Sequence, residues 1–276
     1  MGKDTCWDDP IRQSLSTVFE KQCLRDNGTM QTAALRNHLV NGGRVECDDF
    51  HYRLVIPSIG ADAYTDAQLD DYDHSLPRRF INRPPQHLRI HARFSHAQMK
   101  GTAGFGFWNH PFSRDGDVLA PPSNVWFFYS SPESDLRLAR NTPGHGFKAT
   151  VLTGGTMPSF FVRMAGLSLR AARRFTPLMY LLMSAGKAAV QTHEAQLRLD
   201  MTQWHDYEIE WLDQNAVLGV DGTQVLSAPR PPRIELGFAA WVDNYLAVAH
   251  GGDYQFAYVA SSQDQWLEME IMNVDG

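Results

Sequence analysis

The sequence is poor in cysteine. Cys6, Cys23 and Cys47 are odd in number and follow no metal-ligand spacing, which excludes a disulfide framework as the organising element and leaves buried thiols as the expected role. Long apolar runs are missing too: no stretch reaches about 18 uninterrupted apolar residues, so no membrane-spanning helix is expected. The first ten residues, MGKDTCWDDP, lack the apolar core of a secretory signal, and the expected location is cytoplasmic. Basic residues are not in excess. With 25 Lys+Arg against 31 Asp+Glu, the net charge of -6 offers nucleic acid no global attraction, and no nucleic-acid partner is expected. Motifs with fixed mechanics are also absent: there is no H-E-x-x-H, C-x-x-C, P-loop or G-x-S-x-G, and the glycines of GFGFWN have no phosphate-binding context. No cofactor and no metal site are expected. Asp66, Asp70, Asp71 and Asp73 match a calcium loop in charge but not in spacing, and are read as a solvated acidic loop.

What is present is a chain of short alternating or aromatic-rich runs punctuated by turn residues. With 276 residues, 43% of them hydrophobic, it is long enough for one large domain with a sizeable core. From Val45 onward the runs include VECDDFHYRLVIP, HLRIHARFSH, NVWFFYSSP, FKATVLT, AQLRLDM and YEIEWL, which predict an all-β jelly-roll β-sandwich over 45–276. Asp221-Gly222 lies between two such runs and predicts a tight hairpin. Residues 1–44 are read as an N-terminal helical segment packed on that domain. Asp8-Asp9-Pro10 marks a helix start, and Ile11, Leu15, Val18 and Phe19 follow at helical spacing, to about Arg25.

Between 157 and 190 the β pattern gives way to a predicted helical insertion, with Thr176-Pro177 starting its second helix. Arg163, Arg170 and Arg174 share one face of the first helix. No Asp or Glu occurs between Asp135 and Glu194, whereas Arg137, Arg140, Lys148, Arg163, Arg170, Arg173, Arg174 and Lys187 do. This basic, Met-rich stretch is read in three ways: a helical cap on one sheet, a lid over an apolar ligand through Phe161, Met164, Phe175 and Met179, or a peripheral membrane contact.

Four stretches are similar to one known family. GFGFWNHP at 104–111, NVWFFYSSP at 124–132, WHDYEIEWLDQNAVLGVDGTQVL at 204–226 and the terminal WLEMEIMNV resemble, in order and spacing, the family 16 glycoside hydrolases, laminarinase-like enzymes with a concanavalin-type jelly roll. The likeness covers about residues 45–275 outside the insertion. It implies that Tyr207, Ile209 and Trp211 alternate into the core while Glu208 and Glu210 face away. It also implies that 124–132 is the strand on which that family carries E-x-D-x-x-E. Here the matching positions are Val125, Phe127 and Tyr129 or Ser130, and one step of register gives Trp126, Phe128 and Ser130. None is acidic. Retaining hydrolysis needs two carboxylates about 5–5.5 Å apart, so the family's own mechanism is disfavoured and no catalytic residue carries over. The nearest acids, Glu133 and Asp135, follow Pro132 and are placed in the next loop.

If that fold holds, a cleft is lined by Trp108, Asn109 and His110, by Trp126, Phe128 and Tyr129, and by Trp241, Asp243, Asn244 and Tyr245. Core packing is the competing assignment for each aromatic. Asp243, inside an apolar strand, and His110, after a cleft strand, are the candidate catalytic acid/base groups, against a hydrogen-bonded structural role for Asp243. His193-Glu194 and His205-Asp206 flank strands and are read as surface pairs. The aromatic strand and the basic insertion lead to a first expectation of a largely apolar small-molecule ligand, handled by a cyclase- or isomerase-type enzyme. The alternatives are a glycan-binding or glycan-hydrolysing protein with acids drawn from other strands, and a membrane-associated scaffold without enzymatic activity.

Overall fold

A computed structural model describes residues 35–48, 50–111, 120–136, 142–154, 190–250 and 253–272. The expected N-terminal helix, and the expected helical insertion except its last residue Val190, lie outside the described residues. Sixteen strands are described: β1 (Arg36–Val40), β2 (Arg44–Asp48), β3 (His51–Ile56), β4 (Asp66–Asp70), β5 (Gln86–Phe94), β6 (Thr102–Trp108), β7 (Asn124–Ser130) and β8 (Gly146–Gly154). They continue as β9 (Val190–Gln196), β10 (His205–Trp211), β11 (Asn215–Val220), β12 (Thr223–Pro229), β13 (Gly237–Asp243), β14 (Tyr245–His250), β15 (Asp253–Tyr258) and β16 (Gln265–Met272).

Two seven-stranded antiparallel sheets face each other. Sheet A runs β1-β4-β13-β6-β7-β8-β9, sheet B runs β12-β11-β10-β5-β16-β3-β2, and β14 and β15 form a separate hairpin. The architecture is an all-β, jelly-roll-like sandwich. Period-2 alternation explains the layering: on β7, Val125, Phe127 and Tyr129 are buried in the core, leaving Trp126, Phe128 and Ser130 on the opposite, outer face. Tyr207, Ile209 and Trp211 point inward from β10, as the motif implied. Tyr207 is the hub between the layers, with ring centroids 5.1 Å from Phe105, 5.0 Å from Phe127 and 5.8 Å from Phe147. The expected hairpin joins β11 to β12, with φ of 51° at Asp221 and 73° at Gly222, the left-handed pair that matches strand twist.

Two boundaries differ from the sequence reading. Arg36–Val40, assigned to the helical segment, pairs along β4 as an edge strand of sheet A. Five residues bonded on one side only, with two apolar side chains among them, are too short a run for period-2 alternation to show. The run AQLRLDM gives only Ala195 and Gln196 to β9, because that strand begins at Val190. Leu197 and Met201 then bury as loop residues at the end of the core.

Candidate functional site

Cross-strand register turns the outer face of sheet A into a grid. One row reads His38, Gln68, Trp241, Gly104, Phe128, Lys148 and Gln196 across β1, β4, β13, β6, β7, β8 and β9. The row beside it reads Arg36, Asp70, Ala239, Gly106, Trp126, Thr150 and Glu194, and on the other side lie Asp66, Asp243, Thr102 and Ser130. Aromatic side chains therefore occupy the middle of the face, with ionisable groups at both margins.

The centre exists because β6 has no side chains there. A Cβ on Gly104 would lie 3.0 Å from Trp241 Cη2, and a Cβ on Gly106 would lie 2.6 Å from Trp126 Cα and Cβ. The two indoles meet across this bare strand with centroids 4.9 Å apart. Trp108 and Phe128 extend the platform, at 5.6 Å and 5.5 Å from Trp126. Polar edges hold the rings in place: Trp241 Nε1 donates to Thr102 Oγ1 at 3.0 Å, and Trp108 Nε1 donates to the Tyr72 hydroxyl at 2.8 Å.

On the β4 side, Asp66, Gln68 and Asp70 all project outward because they alternate with core-facing Ala67 and Leu69. This corrects the reading of a solvated acidic loop. Asp66 and Asp70 are buried strand residues, and Asp71 accepts from Phe238 N at 2.8 Å and Asn82 Nδ2 at 2.7 Å. Of the four, only Asp73 is well exposed. Asp66 stands directly opposite Asp243 across the β4–β13 ladder. Burial holds the Asp66 carboxyl well above its ordinary range, and the Asp243 charge adds to the shift. Asp243 itself is pushed up to about 6 by burial. Its Oδ1 accepts from Thr102 Oγ1 at 2.7 Å, Tyr245 N at 3.0 Å and Thr102 N at 3.1 Å, so this oxygen is fully engaged in clamping two strand ends.

Around Asp70 a polar cluster closes. His74 Nε2 and Gln68 Nε2 both reach Asp70 Oδ2 at 2.7 Å, and the His74 ring stacks on His38 with centroids 4.3 Å apart. The Tyr72 hydroxyl receives the Trp108 and Gln68 N–H groups, so its own proton goes to His110 Nδ1 at 3.1 Å. Burial and the neighbouring Arg78 charge push His110 down to about 2, which keeps it neutral as that acceptor. Neutral, and with Nδ1 engaged, His110 is a hydrogen-bond partner rather than a proton store.

The opposite margin carries Lys148 and Glu194, 3.6 Å apart with both side chains 1% exposed. Lys148, counted in the basic stretch, is therefore no surface charge; burial lowers its pKa and the Glu194 carboxylate counters that shift. Thr150 Oγ1 beside them is buried without a hydrogen-bond partner. A cavity of about 230 Å³ on the other sheet, lined by Glu46, Cys47, Asp48, His51, Arg53 and Glu268, touches none of these groups.

Of the residues chosen from sequence, Trp108, Trp126, Phe128, Trp241, Asp243 and His110 are brought to this face. Tyr129 is not: it is buried in the core, with its hydroxyl donating to Met99 O at 3.1 Å, because odd positions of β7 point inward. Asn109 staples a loop through Pro121 O and Ser123 N, and Asn244 holds Thr65 N, Ala63 O and Val259 O, so both amides are spent on backbone. Tyr245 packs near Tyr64 and Tyr258 at the Asp243 end. The lid residues Phe161, Met164, Phe175 and Met179 lie outside the described residues. Of the flanking pairs, Glu194 is buried with Lys148, while His205 Nδ1 bonds Asp221 Oδ2 at 2.7 Å at the tight hairpin. Sequence reasoning missed Gln68, Asp70, Tyr72, His74 and His38. The alternation in DAQLD was the available signal for the first two.

No family model matches the chain, and no curated protein matches it. Solved structures do align over most of its length. They include a GlcNAcα1-4Gal-releasing endo-β-galactosidase from Clostridium perfringens (8% identity, TM-score 0.46, over 88% of this chain and 59% of that one). Also among them are a family 16 endo-glucanase from Bacteroides ovatus (9% identity, TM-score 0.42, 88% and 97%) and the Crh5 transglycosylase (9%, 0.43, 90% and 82%). The family that the motifs resemble is thus represented among the structural neighbours. All three TM-scores lie below 0.5. This chain spans 59% of the endo-β-galactosidase it aligns with.

Proposed function

We propose that the outer face of sheet A binds and processes a glycan. The observation that carries this reading is the row of Trp108, Trp126, Trp241 and Phe128 laid over two glycines and bordered by polar groups on both sides. A pyranose ring has apolar C–H faces and a polar equatorial rim. It matches an aromatic strip whose neighbouring rings are tilted by 16–44° and whose margins carry carboxylates, an amide and hydroxyls. The acids come from β4, β13 and β9 instead of β7, so any chemistry here departs from the paired-carboxylate strand of family 16.

The same platform also supports the first expectation, an apolar small molecule. That ligand would leave the Thr150 hydroxyl, buried without a partner, still unsatisfied, a cost in free energy that a sugar hydroxyl would recover. Titration calorimetry with neutral and acidic oligosaccharides, alongside isoprenoid-type ligands, separates the two. Oligosaccharide binding is expected, and Trp126→Ala is expected to weaken it by about 10-fold or more. Tight binding of the lipophilic series alone would return the site to the apolar reading.

A further inference from the structure

Resting on the glycan reading, we propose that His74 is the general base of this face and that Asp70 is its positioning residue. Asp70 is 0% exposed, while the His74 side chain is 29% exposed, so the dyad runs from the interior to the surface. Asp70 Oδ2 takes the His74 Nε2–H at 2.7 Å, and Asp70 Oδ1 takes Tyr72 N at 3.4 Å. With its proton committed to Nε2, the imidazole presents an Nδ1 lone pair, and Nδ1 makes no hydrogen bond among the described residues. Ring stacking fixes the plane: His38 lies 4.3 Å away at 9°, and Tyr72 lies 5.1 Å away at 23°. His110 meets the ring edge-on at 5.3 Å.

The charged and titratable groups facing this imidazole are Asp70, His38, Tyr72 and His110, with Arg78 behind His110, its Nη1 donating to His110 O at 3.3 Å. Tyr72 and His110 also touch Trp108, one by its 2.8 Å hydrogen bond and the other by stacking at 4.6 Å. The base therefore adjoins the Trp108 end of the platform. Its step is a proton transfer from a water or sugar hydroxyl: the O–H bond breaks and the Nδ1–H bond forms, and the imidazolium charge is offset by Asp70. The freed oxygen lone pair attacks the electrophilic carbon of the glycan. The bond to the leaving oxygen breaks, that oxygen takes a proton from water, and Nδ1 returns its own to solvent. No redox partner is needed for this balance.

The test incubates the full chain with a panel of β-glucans, galactans, polyuronates and chitin fragments, and follows product release by mass spectrometry over pH 4–9. His74→Gln, with His74→Asn as a second variant should the first misfold, is expected to lower kcat by about 100-fold or more while leaving oligosaccharide affinity unchanged. Asp70→Asn is expected to lower kcat by about 10-fold or more while leaving oligosaccharide affinity unchanged, a split between kcat and affinity that a purely structural Asp70 would not produce. Turnover unchanged in both His74 variants overturns the proposal and leaves the glycan reading standing; binding without turnover by the wild type overturns the proposal and reduces that reading to glycan binding. Absence of both binding and turnover overturns the reading beneath it.

Discussion

Asp243→Asn is expected to raise the unfolding midpoint at pH 8 and to leave it almost unchanged at pH 4. In the folded protein the carboxyl is pushed from 3.8 to about 6 by burial, so the native state holds its proton more tightly than the unfolded chain does. Stability from this group is fully present below the unfolded pKa and is lost as pH rises through about 6. A shift of roughly two units corresponds to about 3 kcal/mol that the wild type forgoes above pH 7 and an asparagine does not. The amide oxygen can still accept from Thr102 and Tyr245, and the amide N–H₂ takes the place of Oδ2 beside the Tyr64 hydroxyl, which can accept from it. Thermal unfolding of both proteins at the two pH values checks this. Equal gains at pH 4 and pH 8, or a loss at pH 8, would show that the buried Asp243 charge is not what limits stability.

The second large effect is expected from Gly106→Ala. At φ 141° the backbone of Gly106 sits where an L side chain is strained, and the new methyl would lie 2.6 Å from both Trp126 Cα and Val125 O. Those are backbone atoms of the central pair β6–β7, which cannot yield without moving the sheet. The combined cost is on the order of 3–5 kcal/mol, and Trp126 is displaced with it. Gly222→Ala serves as the comparison. It also has a positive φ, 73°, but nothing lies within 4 Å of its Cβ, so about 1–2 kcal/mol is expected. Urea titration of the two variants measures the difference, and equal losses would mean that the aromatic platform does not depend on the bare strand.

Much of the fold was legible because it rests on period-2 alternation. The inward set Tyr207, Ile209 and Trp211 and the Asp-Gly hairpin were readable locally, since side-chain direction and turn conformation are properties of a few consecutive residues. The choice of register on β7 was harder. Its seven residues are almost all apolar, so the sequence offered Tyr129 and Trp126 equally, and only pairing with β6 and β8 sends Tyr129 inward. The acids on β4 were misassigned for a related reason: DAQLD has the charge content of a loop, and its burial depends on β1 and β13, which lie far from it in sequence.

By itself the sequence determined the alternating all-β class, the hairpin at Asp221-Gly222 and the absence of any acid from β7, because each is decided within a few residues. Only the tertiary structure decided that Asp70 meets His74 and Gln68, that Asp66 faces Asp243, and that Trp126 and Trp241 close over Gly104 and Gly106. Those contacts follow from the strand order β1-β4-β13-β6-β7, which brings together segments up to about 200 residues apart. Local periodicity sets which way a side chain points; the order of strands sets what it points beside.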